Sequence, residues 1–196
     1  MLIALAVGFC TACRSVELAP HPIELLRSIV VVDTGNGHGT GFVAKCELIF
    51  PDAPEVGYAV TVVTCAHVAK NTIVFRIDRL GATESDTAIC TRLDLVGDVA
   101  LLTYASDKPI PCLELADAEP DFGDEIVGIN FMLTKAPWIA QGLWCGLNRT
   151  TVPCSPGSSG GPLLRNGKVV GMTSHYIHHP HAQGSVSLAA LRAALN

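Results

Sequence analysis

Short apolar runs, separated at close intervals by glycine, proline, asparagine and aspartate, dominate the chain from residue 28 onward. The runs are rich in β-branched residues, which pack well on a pleated sheet. They lie at 28–32, 40–50, 58–66, 72–78, 99–104, 125–131 and 168–174. Only LAALRAAL, residues 188–195, has a convincing helical pattern. The chain is therefore predicted to be all-β, a barrel or a sandwich, with one short helix at its C-terminus.

Residues 106–124 separate the predicted strands into two groups of similar size. This stretch contains three prolines and six acidic residues, and strand signals lie on both sides of it. A chain of 196 residues fits one domain or two small subdomains that share an interface. We interpret the stretch as a linker, and we expect an N-terminal unit over residues 20–110 and a C-terminal unit over 111–196.

The N-terminal segment MLIALAVGFCTACRS is an apolar run closed by small residues. Such a run is too short to span a bilayer and is typical of the hydrophobic part of a secretory signal, although no basic segment precedes it. A lipoprotein processing site, with Cys13 as the lipidated residue, is the alternative. Both interpretations predict a leader over residues 1–13 and an exported protein that is periplasmic, membrane-anchored or extracellular. A lipid on Cys13 would be its membrane contact.

Charge and cysteine content narrow the class of protein further. The net charge is −5 and no block of Lys or Arg occurs, which argues against a nucleic-acid partner. Eight cysteines are many for a cytosolic enzyme, and no CxxC pair outside the leader supports a zinc site. Disulfides are therefore expected, with burial as small apolar residues as the alternative. The six cysteines beyond the leader are Cys46, Cys65, Cys90, Cys112, Cys145 and Cys154. A bridge from Cys145 to Cys154 would close a loop of hairpin length, and burial of the two as free thiols is the alternative there.

The segment CSPGSSGGP, residues 154–162, places two adjacent serines among glycines and prolines. A flexible turn is the simplest interpretation unless the chain supplies a base and an acid for one hydroxyl. In the nucleophile elbow of α/β-hydrolases, an acid and then a histidine follow the serine. No Asp or Glu occurs in the 37 residues after Ser159, so that order is excluded and an acid must precede the serine.

Candidates for the base and the acid lie upstream of the serines. Three histidines precede them: His21, His38 and His67. His67 directly follows an apolar strand, which would hold its imidazole at the strand end. Asp98 opens an almost wholly apolar strand, where a carboxylate needs a strong partner such as a transiently positive imidazole. Asp94 is the other candidate for the acid.

Three stretches together resemble the His, Asp and Ser motifs of trypsin-like serine proteases, in the order of that family. They are VTCAHV at 63–68, DVALL at 98–102 and PGSSGGPLLRNGKVVGM at 156–172. The likeness is closest to the bacterial HtrA type, because GTGFV at 39–43 and PCLELADAEPDFGDEIVGI at 111–129 are similar to its glycine entry and interbarrel linker. The resemblance covers roughly residues 28–195. It implies two six-stranded antiparallel β-barrels with the active site between them, and we expect no PDZ domain.

The resemblance also implies roles for individual residues. His67 would be the general base, Asp98 its orienting partner and Ser159 the nucleophile. The backbone N–H groups of Gly157 and Ser159 would stabilise the oxyanion. The residues expected to contact the substrate are Cys154, Thr173, Ser174 and His175. No acidic residue is available at the pocket positions, so specificity for Lys or Arg is not expected, and we expect a modest, mainly apolar pocket.

Three functions remain open at this point. The first is an exported serine endopeptidase that hydrolyses polypeptides through an acyl-enzyme and needs no cofactor. The second is a catalytically silent binding module of the same fold, and the third is a membrane-anchored structural lipoprotein. The presence of all three motif residues favours activity. Residues 175–184 hold four histidines, but their irregular spacing and the lack of partner carboxylates argue against a metal site there.

Overall fold

Two closed antiparallel β-barrels make up the computed structural model, which describes residues 25–52, 57–133, 135–174 and 183–196. The strands of the first barrel are β1 (Ile29–Asp33), β2 (His38–Leu48), β3 (Tyr58–Thr64), β4 (Val74–Arg79), β5 (Asp86–Asp94) and β6 (Val99–Ser106). Those of the second are β7 (Glu125–Phe131), β8 (Pro137–Gly146), β9 (Arg149–Thr150), β10 (Pro162–Arg165), β11 (Lys168–Thr173) and β12 (Gln183–Ser187). The helices are α1 (Ala66–Ala69) and α2 (Leu188–Leu195). The predicted all-β class, the two six-stranded barrels and the C-terminal helix are confirmed.

Each barrel closes in a fixed strand order. The first runs β1–β2–β3–β6–β5–β4 and the second β10–β11–β12–β9–β8–β7. The last strand of the first barrel ends at Ser106 and the first strand of the second begins at Glu125. Between them, Leu115 pairs with Val169 of β11.

Apolar side chains fill the interior of each barrel and also the space between the two barrels. Along β1, Val30 and Val32 pack inside the first barrel, whereas Ile29 and Val31 join an interbarrel cluster. That cluster also contains Ile129, Met172 and Leu191 of the second half, together with other buried residues. Since successive side chains of a strand point to opposite faces, β1 must be apolar on both faces, as its sequence IVVV is.

Helix α2 fastens the end of the second barrel to the first. The Ser187 hydroxyl oxygen accepts a hydrogen bond from the Ala190 N–H at 3.1 Å and so caps the helix N-terminus. At the other end, Arg92 donates to the Ala194 carbonyl and Lys45 to the Leu195 carbonyl, both at 2.7 Å. Both cations come from the first barrel, and they lie where the helix dipole favours positive charge.

The expected disulfides are not formed. No disulfide joins any of the six described cysteines, Cys46, Cys65, Cys90, Cys112, Cys145 and Cys154. They lie on separate elements, and several contact backbone atoms: Cys90 Sγ donates to the Arg92 carbonyl, and Cys145 Sγ donates to the Leu143 carbonyl. Of the six, Cys65 is buried and Cys112 is exposed, so the alternative of burial as a small apolar residue is supported for Cys65 and not for the whole set.

Some predicted features lie outside the described residues. These are the leader at 1–13 with Cys13, the candidate base His21, and His175 with the rest of the histidine-rich segment up to residue 182. An exported location therefore stays a prediction. In the part of the chain that the structure describes, no helix is long and apolar enough to cross a membrane.

An ion-pair cluster joins the loop after β7 to the first barrel. Lys135 Nζ lies 2.6 Å from Asp33 Oδ2 and 3.8 Å from Asp78 Oδ2, and Arg76 contacts the same two carboxylates. The hydrogen bond from Lys135, together with that from the Gly35 N–H, holds the pKa of Asp33 below its ordinary value.

Lys135→Met should lower the free energy of unfolding at neutral pH by about 0.5–1 kcal/mol, since the pair is partly exposed and Asp33 keeps Arg76. Because the pKa of Asp33 is lowered in the folded state, its stabilisation is present above the unfolded pKa of about 3.9. This stabilisation is lost as the pH falls through the lowered pKa of Asp33. The free energies of unfolding of the variant and the native chain should therefore converge in acid. Urea denaturation across this range measures both. Lys70→Met, at an exposed lysine without an ion pair among the described residues, is the control. Equal losses at neutral pH in the two variants would contradict the pairing.

Candidate active site

His67 lies just beyond the end of β3, where the buried strand passes into the single turn of α1. Cys65, in an extended conformation, precedes that turn. The imidazole Nδ1 lies 3.0 Å from Oδ1 and 2.9 Å from Oδ2 of Asp98. The backbone N–H of His67 donates to Asp98 Oδ1 at 3.0 Å. Asp98 thus fixes both the ring and the main chain of His67, and His67 lines a cavity.

Asp98 is the last residue of the turn before β6 and has a left-handed backbone conformation, φ 54°. Its Oδ2 also accepts a hydrogen bond from the Ser174 hydroxyl at 2.5 Å. Partial burial acts to raise the pKa of Asp98, but the hydrogen bonds from His67 and Ser174 outweigh it and lower the pKa to about 2. The carboxylate is therefore ionised at neutral pH and able to stabilise a positive imidazole.

Ser159 lies in the turn that enters β10, and it lines the same cavity as His67. This cavity has a volume of about 270 Å³ and also includes Gly157 and His38 in its lining. The Ser159 hydroxyl donates to the Ser174 carbonyl at 2.6 Å. Among the described residues no hydrogen bond joins it to His67. The fold thus brings the His67 imidazole and the Ser159 hydroxyl to one cavity without connecting them directly in this conformation.

The neighbouring serine, Ser158, has a different environment. Its side chain is buried, and its hydroxyl oxygen accepts a hydrogen bond from the Ser155 N–H at 3.1 Å. Ser158 therefore braces the turn from inside, and only Ser159 of the two serines lines the cavity beside His67. The competing carboxylate, Asp94, caps its own turn by accepting the N–H groups of Val96 and Gly97, each at 3.0 Å.

Two main-chain N–H groups at the turn have no acceptor in the part of the chain that the structure describes. Neither the N–H of Gly157 nor that of Ser159 donates a hydrogen bond among the described residues. Gly157 has φ 95°, a conformation that favours glycine. Gly157 and Ser159 are half-buried and line one cavity, so their two N–H groups are suited to donate to an oxygen atom of a ligand.

Thr40 of β2 holds this turn from the first barrel. Its N–H donates to the Ser159 carbonyl at 2.8 Å, and its hydroxyl donates to the Gly157 carbonyl at 2.8 Å. The same hydroxyl accepts the N–H of Phe131 at 2.8 Å. The sequence did not predict this role of Thr40. The only signal in the GTGFV motif was its pair of glycines. His38, weighed as a base, instead places Nε2 3.0 Å from the Met132 carbonyl.

A second cavity, of about 450 Å³, lies on the other side of Ser159. Its lining contains no charged side chain: Cys154, Ser155, Pro156, Ser158, Ser159, Thr173 and Ser174. Burial raises the pKa of the Cys154 thiol, which favours its neutral form. Three of the four predicted substrate contacts, Cys154, Thr173 and Ser174, thus lie together here, and the fourth, His175, falls outside the described residues.

Cys65 is a further residue beside the site that the sequence argument did not use. Its thiol is buried behind His67, and its Sγ donates to the Thr173 carbonyl at 3.2 Å. Burial and the charge of Asp98 raise the pKa of Cys65 well above its ordinary value, so the group is a neutral thiol in the free protein.

Gly160 allows the turn to approach Thr40, and its replacement tests that approach. A Cβ at Gly160 would lie 1.8 Å from the Thr40 carbonyl oxygen, whereas one at Gly35 would meet nothing within 4 Å. Both glycines have positive φ, 94° and 82°. Gly35→Ala should therefore lower the free energy of unfolding by about 1 kcal/mol, from backbone strain alone. Gly160→Ala should lower the free energy of unfolding by about 3 kcal/mol or more, because a backbone atom must move. Urea denaturation followed by tryptophan fluorescence measures both, and equal losses would contradict the close approach.

Known proteins share the sequence pattern and the fold of this chain. Residues 39–172 match the family model of the trypsin-like peptidase domain. No curated protein matches the chain. The fold is similar to a serine endoprotease from Yersinia pestis, with a TM-score of 0.70 and 18% identity over 86% of this chain and 61% of that one. It is also similar to the Rv3671c protease in its inactive form, with a TM-score of 0.71 and 20% identity over 88% of this chain and 89% of that one. The chain spans only 61% of the Yersinia protein, and at these identities the structures establish the fold alone. The family model, however, matches most of the sequence, and the chain therefore belongs to the trypsin-like peptidase family.

Proposed function

We propose that the chain is an exported serine endopeptidase in which Ser159, His67 and Asp98 form the catalytic triad. The observation that carries the proposal is the hydrogen-bonded pair of His67 and Asp98 beside the Ser159 hydroxyl, in a cavity where two N–H groups lack acceptors. A hydroxyl is a poor nucleophile at neutral pH and needs such a base, held in one tautomer by a third group.

In the first step, the Ser159 hydroxyl leaves the Ser174 carbonyl and turns toward Nε2 of His67. A substrate amide N–H that takes over the Ser174 carbonyl would favour this rotation, since the hydroxyl occupies that acceptor in the free protein. Ser159 Oγ then attacks the scissile carbonyl carbon while His67 accepts its proton. Asp98, ionised and hydrogen-bonded to Nδ1, stabilises the imidazolium.

Collapse of the tetrahedral intermediate releases the amine half of the substrate, which takes the proton from His67, and leaves an acyl-enzyme on Ser159. Water then attacks the ester with His67 as base and frees the acyl half. In both steps the oxyanion would accept the N–H groups of Gly157 and Ser159. One such donor typically contributes about 10²–10³ in rate. No step requires a cofactor.

The uncharged cavity beside Cys154 and Thr173 would receive the substrate side chain that precedes the scissile bond. It offers no carboxylate to a Lys or Arg side chain, and burying an unpaired charge there would be costly. We therefore infer cleavage of polypeptides after uncharged residues of small to medium size.

A catalytically silent binding module is the alternative function, and it predicts no reactive serine. Lipid attachment at Cys13 would anchor either kind of protein, so it does not distinguish the two.

A fluorophosphonate probe distinguishes them, because it reacts with an activated serine hydroxyl. The native chain should be labelled, and Ser159→Ala should not. Labelling that persists in Ser159→Ala would contradict the proposal, and so would its absence in the folded native chain.

Thr40 should act on the rate through Gly157. Thr40→Val keeps the size of the side chain but removes the hydroxyl that holds the Gly157 carbonyl, and kcat should fall roughly 10–100-fold with little change in KM. Thr40→Ser keeps the hydroxyl and should stay within a few-fold of the native rate. Steady-state kinetics on a peptide substrate, with circular dichroism to check folding, make the comparison. Equal rates for the two variants would show that the hydroxyl does not position the turn.

A further inference from the structure

We propose that Cys65, His67 and Asp98 together form a binding site for a soft divalent cation such as Zn²⁺ or Cd²⁺, and that occupation of this site stops catalysis. The inhibitory consequence rests on the proposed function, whereas the binding itself does not. Cys65 is the residue that makes the site, since it is buried beside the pair of His67 and Asp98 and has no part in the reaction.

The geometry suits one ion. Cys65 Sγ, a ring nitrogen of His67 and a carboxylate oxygen of Asp98 all lie within 4.8 Å of one another. Metal–ligand distances of 2.0–2.3 Å place two ligands of a tetrahedral ion about 3.2–3.8 Å apart. Since Nδ1 and Oδ2 are 2.9 Å apart in the free protein, a modest movement of the exposed His67 ring would open the position.

The donor set selects the class of metal. One thiolate, one imidazole and one carboxylate are ligands that zinc takes in proteins, and the thiolate disfavours Mg²⁺ and Ca²⁺, which prefer oxygen. The thiolate and the carboxylate together balance the charge of a divalent ion, which offsets the cost of placing it in a partly buried site. The side chains of His67 and Asp98 are 40% and 24% exposed, so the ion can enter from the cleft although Cys65 is covered.

Binding has a defined proton balance and a defined effect. The thiol of Cys65 releases one proton to solvent as its sulfur bonds to the metal. His67 stays neutral, but its proton moves from Nδ1 to Nε2 because Nδ1 now bonds to the metal. An Nε2–H group donates a hydrogen bond and cannot accept the proton of Ser159. The ion thus removes the general base without touching the nucleophile or the substrate cavity.

Cadmium titration of the folded Ser159→Ala protein tests binding independently of activity. A cadmium–thiolate bond gives a charge-transfer absorption in the ultraviolet, and calorimetry gives the affinity. We expect the absorption with one equivalent of Cd²⁺, its loss in Cys65→Ala and Cys65→Ser, and affinity at least about tenfold weaker in both. Two variants are used so that one misfolded protein does not decide the result. Cys90→Ala, at a half-buried thiol on β5, should leave the absorption unchanged.

Activity supplies the second measurement, with each variant compared with its own metal-free rate. Zn²⁺ should inhibit the native chain, a chelator should reverse the inhibition, and Cys65→Ala should need at least about tenfold more Zn²⁺ for the same inhibition. A cadmium absorption that survives both Cys65 variants, or that is absent from the parent, would overturn the proposed site. Failure of the native chain to react with a fluorophosphonate would instead overturn the proposed peptidase function and leave the cadmium result standing.

Discussion

The hydrogen bonds of Thr40 are the connection on which the rest of the site depends. Through its N–H and its hydroxyl, this one residue of the first barrel holds the carbonyls of Ser159 and Gly157 in the second. Its own carbonyl accepts the hydroxyl of Thr64, the last residue of the strand that leads to His67. His67, Ser159 and the two N–H groups without an acceptor among the described residues are therefore positioned from a common point, and the absence of a Cβ at Gly160 is what permits the contact.

Neither barrel contains the site by itself. The first supplies the pair of His67 and Asp98, the second supplies the turn around Ser159, and Ser174 at the end of β11 contacts both Asp98 and the Ser159 hydroxyl. The interbarrel apolar cluster, which includes Cys65, and the cation-capped helix α2 hold the halves together. Rigid barrels that bury their backbone hydrogen bonds can present such short turns with little freedom, which is what proton transfer between fixed groups requires.

The sequence predicted several strands whose apolar character is set by burial, such as β1, β3 and β6, and it predicted helix α2, but it missed the short buried strand β10. It also did not predict β5 or β8, because each has a single buried side chain and β8 mixes glycine with tryptophan. These strands followed only from the family resemblance. The same limit applies within the site. Motif order selected His67, Asp98 and Ser159, but the role of Thr40 depends on a contact between residues more than a hundred positions apart, which periodicity does not encode. The number of cysteines favoured disulfides, and this prediction failed because a count says nothing about the distances between the thiols.

The most direct test of the account is a crystal structure of the native chain with a peptidyl boronic acid, which becomes tetrahedral when a serine attacks it. The account predicts a covalent bond from boron to Ser159 Oγ, with one boronate oxygen accepting the N–H groups of Gly157 and Ser159. It further predicts that His67 contacts Oγ and that the adjacent side chain lies in the cavity beside Cys154 and Thr173. Boron bound to any other residue, or a boronate oxygen turned away from those two N–H groups, would contradict it.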